Sequence, residues 1–210
     1  MKVIIVRHAE TTENAKTQDI GHNSEALLTE NGILQAEKLG YHLKSEKISH
    51  AYVSPQKRAV HTAEKILHHH PSVKLMQVDD LREQSLGIYE SVPKHVWKEV
   101  KKNTKEPFHL FKPEKGESYS ELQARITKFF HNMATRHKDE TVLVVSHGGT
   151  LGVLLLHILE KELTEENYRA HQPKNTEFTI VEVLKPFDTA QGKSADLKIH
   201  VLNGREHLNE

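Results

Sequence analysis

Residues 141–145 constrain the fold of this chain more than any other segment, because they form a nearly uninterrupted apolar run. Such a run is typical of a strand in a parallel sheet, where helices cover both faces. The turn Ser146-His147-Gly148-Gly149 follows directly, and an apolar helix is predicted over residues 151–159. This strand, turn and helix predict an α/β protein.

Strand and helix patterns alternate along the rest of the chain. Further strands are predicted over 3–6, 51–53, 73–78, 176–184 and 197–202. Helices are predicted over 29–43, from Ser54-Pro55 onward, briefly within 93–111, and from 116–118 to about 137. We therefore expect a three-layer α/β/α sandwich with a mostly parallel central sheet. The whole chain, residues 1–210, is predicted to form one domain, with a lid-like excursion around 88–118.

Composition narrows the class of protein. The chain has 210 residues, 36% of them apolar and 28% charged, which suits a globular domain with a sizeable core. Its formal net charge is zero, so neither a nucleic acid nor a membrane is an expected partner. The chain has no cysteine, which excludes thiolate catalysis and fits a cytoplasmic protein. The apolar run at residues 3–6 is too short for a signal peptide or a membrane span.

The chain is rich in histidine, with 17 residues of this type. Most are expected to be scattered surface residues. Neighbouring residues do not share a helix face, so the tract His68-His69-His70 is predicted to be a solvated helix end. We therefore predict no metal site and no cofactor, with a histidine-rich metalloenzyme as an alternative that a chelator would reveal.

Basic side chains follow three separate strands. Arg7 and His8 come after the first strand, Arg58 lies early in the helix after the second, and His147 follows the buried run. In open α/β sheets, ligands bind at the carboxyl ends of the strands. These side chains are therefore predicted to converge at one edge of the sheet.

A cluster of this kind suits a phosphate monoester. Arginine stays charged and can pair bidentately with phosphate oxygens, which makes Arg7 and Arg58 the candidates for binding. A neutral imidazole can act as the nucleophile and hold the phosphoryl group as phosphohistidine. Departure of an alkoxide then requires a proton donor, typically a carboxylic acid.

Five motifs in chain order carry a resemblance to a known family. They are Arg7-His8-Ala9-Glu10-Thr11 with Asn14; Leu28-Thr29 with Gly32, Gln35-Ala36 and Leu39-Gly40; Val53-Ser54-Pro55 with Arg58-Ala59 and Thr62-Ala63; Leu81-Arg82-Glu83 with Gly87 and Glu90; and Val145-Ser146-His147-Gly148-Gly149. Together they resemble the histidine phosphatase superfamily, in its phosphoglycerate-mutase-like branch. The resemblance spans nearly the whole chain.

The resemblance implies a role for each matching residue. His8 would be the nucleophile, and Glu83 the general acid that later activates water. The phosphate pocket would be formed by Arg7, Arg58, His147 and Gly148, with Asn14 touching phosphoryl oxygens and Gly21 approaching the substrate through its backbone. Glu10 and Thr11 would support the pocket without reacting.

The sequence departs from the family pattern mainly where the substrate's rim is expected. Ala9 stands in place of the usual glycine, the loop near Gly21 is about one residue longer, and Ser91 follows Glu90 where glycine is frequent. These changes bear on specificity more than on the phosphate pocket.

The leading hypothesis is a metal-independent phosphatase for small-molecule phosphate monoesters that could assemble as a homodimer. A cofactor-dependent phosphoglycerate mutase is the alternative, but the segment 90–116 is short and lacks the paired arginines expected for a second anionic group. A catalytically silent module that binds phosphorylated partners is a third hypothesis. The aromatic residues Trp97, Phe108, Phe111 and Tyr119 are expected to belong to the core, or else to an apolar lid.

Overall fold

The computed structural model describes residues 1–15, 26–90, 92–185 and 195–209, and six strands in those ranges form one sheet. Their spatial order is β3-β2-β4-β1-β5-β6. The strands are β1 (Lys2–Arg7), β2 (Ile48–Val53), β3 (Leu75–Gln77), β4 (Thr141–Ser146), β5 (Phe178–Lys185) and β6 (Asp196–Gly204). The first four are mutually parallel, while β5 and β6 complete the sheet with antiparallel pairings.

Helices cover both faces of the sheet. The described ranges contain α1 (Thr12–Ala15), α2 (Glu30–His42), α3 (Lys57–Leu67), α4 (Lys94–Asn103), α5 (Tyr119–Arg136), α6 (Gly148–Ile158) and α7 (Glu165–His171). One face packs against α2 and α3, and the opposite face against α5, α6 and α7. The predicted three-layer sandwich with a mostly parallel sheet is therefore confirmed.

The alternation of side chains along β1 builds both cores at once. Val3 and Ile5 join the core beneath α5 and α6, whereas Ile4 and Val6 join the core beneath α2 and α3. Successive strand residues point to opposite faces, so a continuous apolar run is what a doubly covered strand requires. The carboxyl end of β1 is thus fixed from both sides.

Strands β1 and β4 lie side by side, and Arg7 is paired with Ser146 at their last position. The backbone N–H of His8 continues the pairing by donating to the carbonyl of Ser146 at 2.9 Å. The two segments that carry the predicted histidines therefore leave the sheet together.

Some predicted boundaries were wrong. Helix α3 begins at Lys57, not after Ser54, and Gln56 is its N-cap; the hydroxyl of Ser54 is bonded to His147 and to the backbone of Gln56, which lies before the helix. The strand predicted over 73–78 is reduced to three residues in β3. Helix α7 was not predicted, and α6 begins three residues earlier than expected.

Helix α5 begins where the sequence predicted. Ser118 accepts a hydrogen bond from the backbone of Glu121, whose carboxylate in turn accepts from the backbone of Ser118. This capping box satisfies two backbone donors that a helix start would otherwise leave unpaired.

The excursion around 88–118 leaves and rejoins the domain at one point. The backbone of Ile88 donates to Glu114 at 3.1 Å, and that of Glu117 donates to Ser85 at 2.9 Å. Gly87 has a φ of +55°, and a side chain there would collide with the carbonyl of Glu114. The base of the excursion is therefore closed by backbone pairing that only glycine permits.

The histidine tract is only in part a solvated helix end. His68 and His69 are exposed after the end of α3, as predicted, but His70 is buried. The chain turns at this point, since the backbone of Val73 donates to the carbonyl of His70 at 3.0 Å. That turn brings His70 under the loop that leads to β3.

Candidate active site

Two histidine rings meet at the carboxyl edge of the sheet. The ring centroids of His8 and His147 are 5.2 Å apart, and both side chains are buried. Each ring stands one residue beyond a central parallel strand, which is where α/β sheets place ligands. The convergence predicted from the sequence is therefore present in the fold.

The ring of His8 is held in one tautomer. Its Nδ1 lies 2.8 Å from the carbonyl oxygen of Ala9, an acceptor, so we assign the ring proton to Nδ1 and the lone pair to Nε2. Burial, followed by the positive charges of Arg58 and Arg7, holds the pKa of His8 well below its usual value. The ring is therefore neutral at physiological pH and can act as a nucleophile.

Arg58 is almost completely buried, with only 2% of its surface exposed. Its Nε donates to Nδ1 of His147 at 3.2 Å, and its Nη2 donates to Oε1 of Gln56 at 3.2 Å. Burial lowers its pKa to about 10, so the guanidinium keeps its charge at neutral pH. A buried fixed cation of this kind is suited to holding an anion.

Arg7 leaves part of its hydrogen-bonding capacity unused. Its Nη1 donates to the carbonyl of Pro173 at 2.8 Å, while its Nε is buried and has no hydrogen-bond partner among the described residues. Buried donors without a partner are rare because leaving one unsatisfied costs about 1–3 kcal/mol. The Nε of Arg7 is therefore a donor that the described residues leave unused.

Both nitrogens of His147 are engaged. Because Nδ1 accepts from Arg58, the proton is assigned to Nε2, which donates to the hydroxyl of Ser54 at 2.8 Å. Gly148 follows, and a side chain there would lie 3.0 Å from Cζ of Arg7. Glycine at this position lets the guanidinium pack against the start of α6.

Glu83 binds the amino-terminal end of α6. Its carboxylate accepts hydrogen bonds from the backbone of Gly149 and of Thr150, each at 2.9 Å, and from the backbone of Gln84 at 3.0 Å. These donors and the helix dipole stabilise the ionised carboxylate. The negative charge of Glu83 also raises the pKa values of Arg7 and Arg58 against the effect of burial.

The predicted substrate contacts outside this cluster differ in outcome. Asn14 lies close to it, with its amide donating to Asn175 at 3.3 Å and accepting from the backbone of Thr11 at 2.7 Å. The carboxylate of Glu10 accepts from the hydroxyl of Thr29 at 2.7 Å, so it supports the start of α2. Gly21 and the loop around it lie outside the described residues, as does Ser91.

Two residues that sequence reasoning passed over connect the parts of the cluster. Oε1 of Gln56 accepts from Nη2 of Arg58 and from the backbone of Glu83 at 3.3 Å, which ties the cation to the acid. Asn175 donates from its amide to the carbonyl of His8 at 2.9 Å. Gln56 lies within the third motif, but nothing in the sequence around Asn175 indicates this contact.

Thr62 on α3 also supports the cluster. Its hydroxyl accepts from the backbone of Ala9 at 3.0 Å and donates to the carbonyl of Arg58 at 2.7 Å. One side chain therefore links the backbone beside the nucleophile to the backbone of the buried cation.

A cavity of about 650 Å³ opens between the excursion and α7. Its aromatic lining includes Phe108, Phe111, Tyr119 and Tyr168, while its basic lining includes Lys98, Lys101, Lys102 and Arg169. Gln172, also in the lining, directly precedes the proline that accepts from Arg7. The cavity therefore has one wall beside the cluster.

The four aromatic residues named from the sequence divide between core and cavity. Trp97 is buried against Leu86, and Tyr119 is buried in the core beneath α5 and α6. Phe108 stacks on Tyr119 at 4.3 Å between ring centroids and, like Phe111, is half-buried at the cavity. Trp97 and Tyr119 are therefore core residues, as expected, whereas Phe108 and Phe111 are only partly buried.

Comparison with known proteins places the chain in a family. Residues 3–187 match the histidine phosphatase superfamily, branch 1. The chain belongs to the histidine phosphatase superfamily. The family expected from the five motifs is therefore confirmed, and with it the expectation of a phosphatase.

Two relatives from Arabidopsis thaliana illustrate the range of this superfamily. A phosphoglycerate mutase-like protein 4 is 33% identical over 159 residues, which cover 71% of this chain and 67% of that protein. A metal-independent phosphoserine phosphatase is 33% identical over 171 residues, covering 76% of this chain and 69% of that protein. The second of these relatives is a phosphatase, and the mutase alternative is not favoured.

A solved structure shares the fold along its whole length. Bacillus stearothermophilus YhfR superposes with a TM-score of 0.84 and 25% identity, covering 99% of this chain and 98% of that one. As for membranes, no helix in the described ranges of this histidine phosphatase has both the length and the apolar character to span one.

Proposed function

We propose that this histidine phosphatase hydrolyses small-molecule phosphate monoesters by transferring the phosphoryl group to Nε2 of His8. The observation that carries the proposal is the bond between Nδ1 of His8 and the carbonyl of Ala9. It leaves the lone pair on Nε2, and burial beside two guanidinium groups keeps the ring unprotonated.

The first step exchanges one bond to phosphorus for another. Nε2 of His8 attacks the phosphorus atom in line with the leaving oxygen, and the ester P–O bond breaks as the N–P bond forms. Arg7 and Arg58 hold the non-bridging oxygens and stabilise the charge that develops on them, and His147 joins them by turning its Nε2–H from Ser54 to the phosphate. Glu83, in its protonated form, gives its proton to the leaving oxygen.

Glu83 acquires that proton on substrate binding. A phosphate dianion beside the carboxylate repels its negative charge and favours the protonated acid. In the second step the Glu83 carboxylate takes a proton from water, which attacks phosphorus, and the N–P bond breaks to release phosphate and neutral His8. Both steps need no metal ion to neutralise the phosphate, since two arginines supply the positive charge.

The positive charges around His8 support phosphate as the ligand. Arg7 has a buried Nε that the described residues leave unused, and Arg58 is held by Gln56 and His147 in one orientation. Two adjacent guanidinium groups disfavour a metal cation at this position by repulsion. They favour an anion that can accept several charge-assisted hydrogen bonds.

Further parts of the proposal concern the whole chain. We infer one domain over residues 1–210, with the excursion 88–118 acting as a lid, in a cytoplasmic protein that can form a homodimer. The closed base of the excursion supports its action as one unit. Light scattering on the purified protein tests the homodimer, and fractionation of cells that produce the chain tests the location.

The test is hydrolysis of p-nitrophenyl phosphate in EDTA, compared between the wild type and His8→Ala. We expect the wild type to turn over and the variant to lose activity by about 1,000-fold or more, as nucleophile removal does elsewhere. A substrate labelled in its phosphoryl group should leave label on the wild type that survives alkali and is lost in acid, and none on His8→Ala.

Three results would contradict the proposal in different ways. Near wild-type turnover by His8→Ala would exclude His8 as the nucleophile. Loss of wild-type activity in EDTA would favour a metalloenzyme. Isomerisation of 3-phosphoglycerate with catalytic 2,3-bisphosphoglycerate, without phosphate release, would indicate a mutase.

A further inference from the structure

Three side chains meet at the end of the sheet opposite His8. His137 directly follows α5, Glu140 immediately precedes β4, and His50 lies on the adjacent strand β2. Six residues of β4 separate Glu140 from His147, and a strand of that length spans about 20 Å. This cluster is therefore separate from the phosphate pocket.

The cluster is compact. Oε2 of Glu140 lies 2.6 Å from Nδ1 of His137 and 3.5 Å from Nδ1 of His50, and the ligand atoms of all three lie within 4.8 Å of one another. Tetrahedral ligands about 2.0–2.1 Å from a zinc ion are roughly 3.3 Å apart. Small rotations of these side chains would therefore create three coordination positions.

The other ring nitrogen of His137 is already oriented. Its Nε2 lies 2.8 Å from the hydroxyl of Tyr52, while the ring itself is buried. Metal-bound imidazoles in proteins usually have a hydrogen-bond partner of this kind on the second nitrogen. His50 and Glu140 are half-exposed, so one side of the cluster is open to solvent and to a water ligand.

We propose that His50, His137 and Glu140 bind a borderline transition-metal dication such as Zn²⁺. Two imidazoles and one carboxylate select Zn²⁺, Co²⁺ or Ni²⁺ over Mg²⁺ and Ca²⁺, which require oxygen ligands. On binding, the metal takes the lone pair of Nδ1 of His137, and the neutral ring carries its single proton on Nε2, where it donates to the hydroxyl of Tyr52.

Such a metal joins the end of α5 to β2 and to the start of β4. Binding stabilises the folded state because the three ligands come together only after folding. It leaves phosphate-ester hydrolysis unchanged, since the phosphate pocket lies at the other end of β4. The proposed activity and this metal site are therefore independent of each other.

The test is thermal unfolding of the EDTA-treated protein at pH 7.5 with Zn²⁺ alone, Co²⁺ alone or Mg²⁺ alone. Zn²⁺ at about 100 times its dissociation constant should raise the melting temperature by about 5–10 °C, and Mg²⁺ should not. Co²⁺ should produce the visible absorption typical of a four- or five-coordinate ion, and the titration should saturate at one ion per chain.

Two variants and one control assign the site. Glu140→Gln preserves shape and His50→Ala removes a half-exposed ring, so both should fold and lose the Zn²⁺ shift. A His68→Ala, His69→Ala double variant removes two exposed histidines elsewhere and should keep it. The proposal would be overturned if Glu140→Gln and His50→Ala showed the same Zn²⁺ shift in melting temperature as the wild type. It would also be overturned if the wild type showed no shift at 1 mM Zn²⁺, which is about the weakest binding of interest.

Discussion

The chemistry proposed for His8 depends on what its neighbours do to each ring nitrogen. The carbonyl of Ala9 fixes the proton on Nδ1, while Arg7 and Arg58 oppose a second proton on the ring. Burial is the larger cause of the low pKa of His8, and the same two cations that would hold a phosphate lower that pKa further. One pair of charges thus serves both phosphate binding and the nucleophile.

The role of Glu83 can be tested by removing only its ability to exchange a proton. Glu83→Gln keeps the size of the side chain, so we expect phosphate and vanadate to bind within a few-fold of wild type. Loss of general acid catalysis should lower kcat by about 100- to 10,000-fold for a poor leaving group.

The loss should be much smaller for p-nitrophenyl phosphate, whose leaving group needs little protonation. Rates for alkyl and nitrophenyl esters, measured side by side, check this. An equal loss for both esters would point to a structural effect of the substitution.

Gly149 controls the position of the same carboxylate. A side chain at Gly149 would collide with Oε1 of Glu83 and displace it from the end of α6. Since misplacement by about 1 Å can cost about 100-fold in rate, we expect Gly149→Ala to lower kcat by about that factor.

A matched control for this substitution lies one turn along α6. A side chain at Gly152 would meet the ring of Tyr168 at 3.0 Å and not Glu83. Gly152→Ala should therefore affect the melting temperature more than kcat. Equal kcat in Gly149→Ala and wild type would argue against a catalytic position for Glu83.

Among the elements, α5 and α6 form an interface that is sensitive to acid. His131 on α5 and His157 on α6 face each other with their Nε2 atoms 3.0 Å apart. Burial, and then repulsion from His157, lowers the pKa of His131 to about 4. Burial also lowers the pKa of His157. Protonating this pair therefore opposes the packing of the two helices.

The sign of the resulting pH dependence follows from linkage. His131 takes up its proton near pH 6.5 in the unfolded chain but only near pH 4 in the folded one, so the unfolded state binds more protons between these values. Stability is therefore lost as the pH falls from about 6.5 toward 4. His131→Gln should lose less stability than the wild type over this range.

Urea unfolding midpoints at pH 7 and pH 5 measure this difference. His200→Gln is a control, since His200 is exposed on β6 and bonded to Glu182. An equal fall in the wild type and in His131→Gln would show that the pair does not carry the acid sensitivity.

At the scale of the whole molecule, the cavity beside the excursion offers a place for the organic portion of a substrate. Four basic residues line it against two acidic ones, Glu106 and Glu165, and Glu165 is already paired with Arg169. Burial lowers the pKa of Lys101, whose ammonium group also lies near Glu165.

We predict that Lys101→Met selectively weakens hydrolysis of esters whose leaving group carries a carboxylate. Because a partly exposed ion pair contributes little, kcat/KM for such esters should fall by about two- to fivefold relative to p-nitrophenyl phosphate. Lys44→Met, a substitution in the turn after α2 on the opposite layer, should leave kcat/KM unchanged for both kinds of ester. A uniform change for all esters would place the substrate elsewhere.

The sequence predicted those features that depend on pattern and topology. The apolar runs at β1 and β4 identify parallel central strands, and the ends of such strands share an edge, so Arg7, His8 and His147 could be placed together. Helix α7 was missed because it has only seven residues and a mainly polar surface.

Contacts between side chains from distant segments could not be predicted in this way. The bonds from Gln56 to Arg58 and Glu83, and from Asn175 to His8, depend on the final packing of loops that follow different strands. Ser54, from which α3 was predicted to begin, is likewise bonded to His147 in the tertiary structure.

The central position of β1 also sets the order of events when the protein is made. This strand is synthesised before either neighbour, because β4 and β5 begin at Thr141 and Phe178. Contacts of such long sequence separation slow folding and leave early segments without their partners. A nascent chain therefore carries His8 long before it can hold the ring in place, and the catalytic cluster assembles only after β4 has been made.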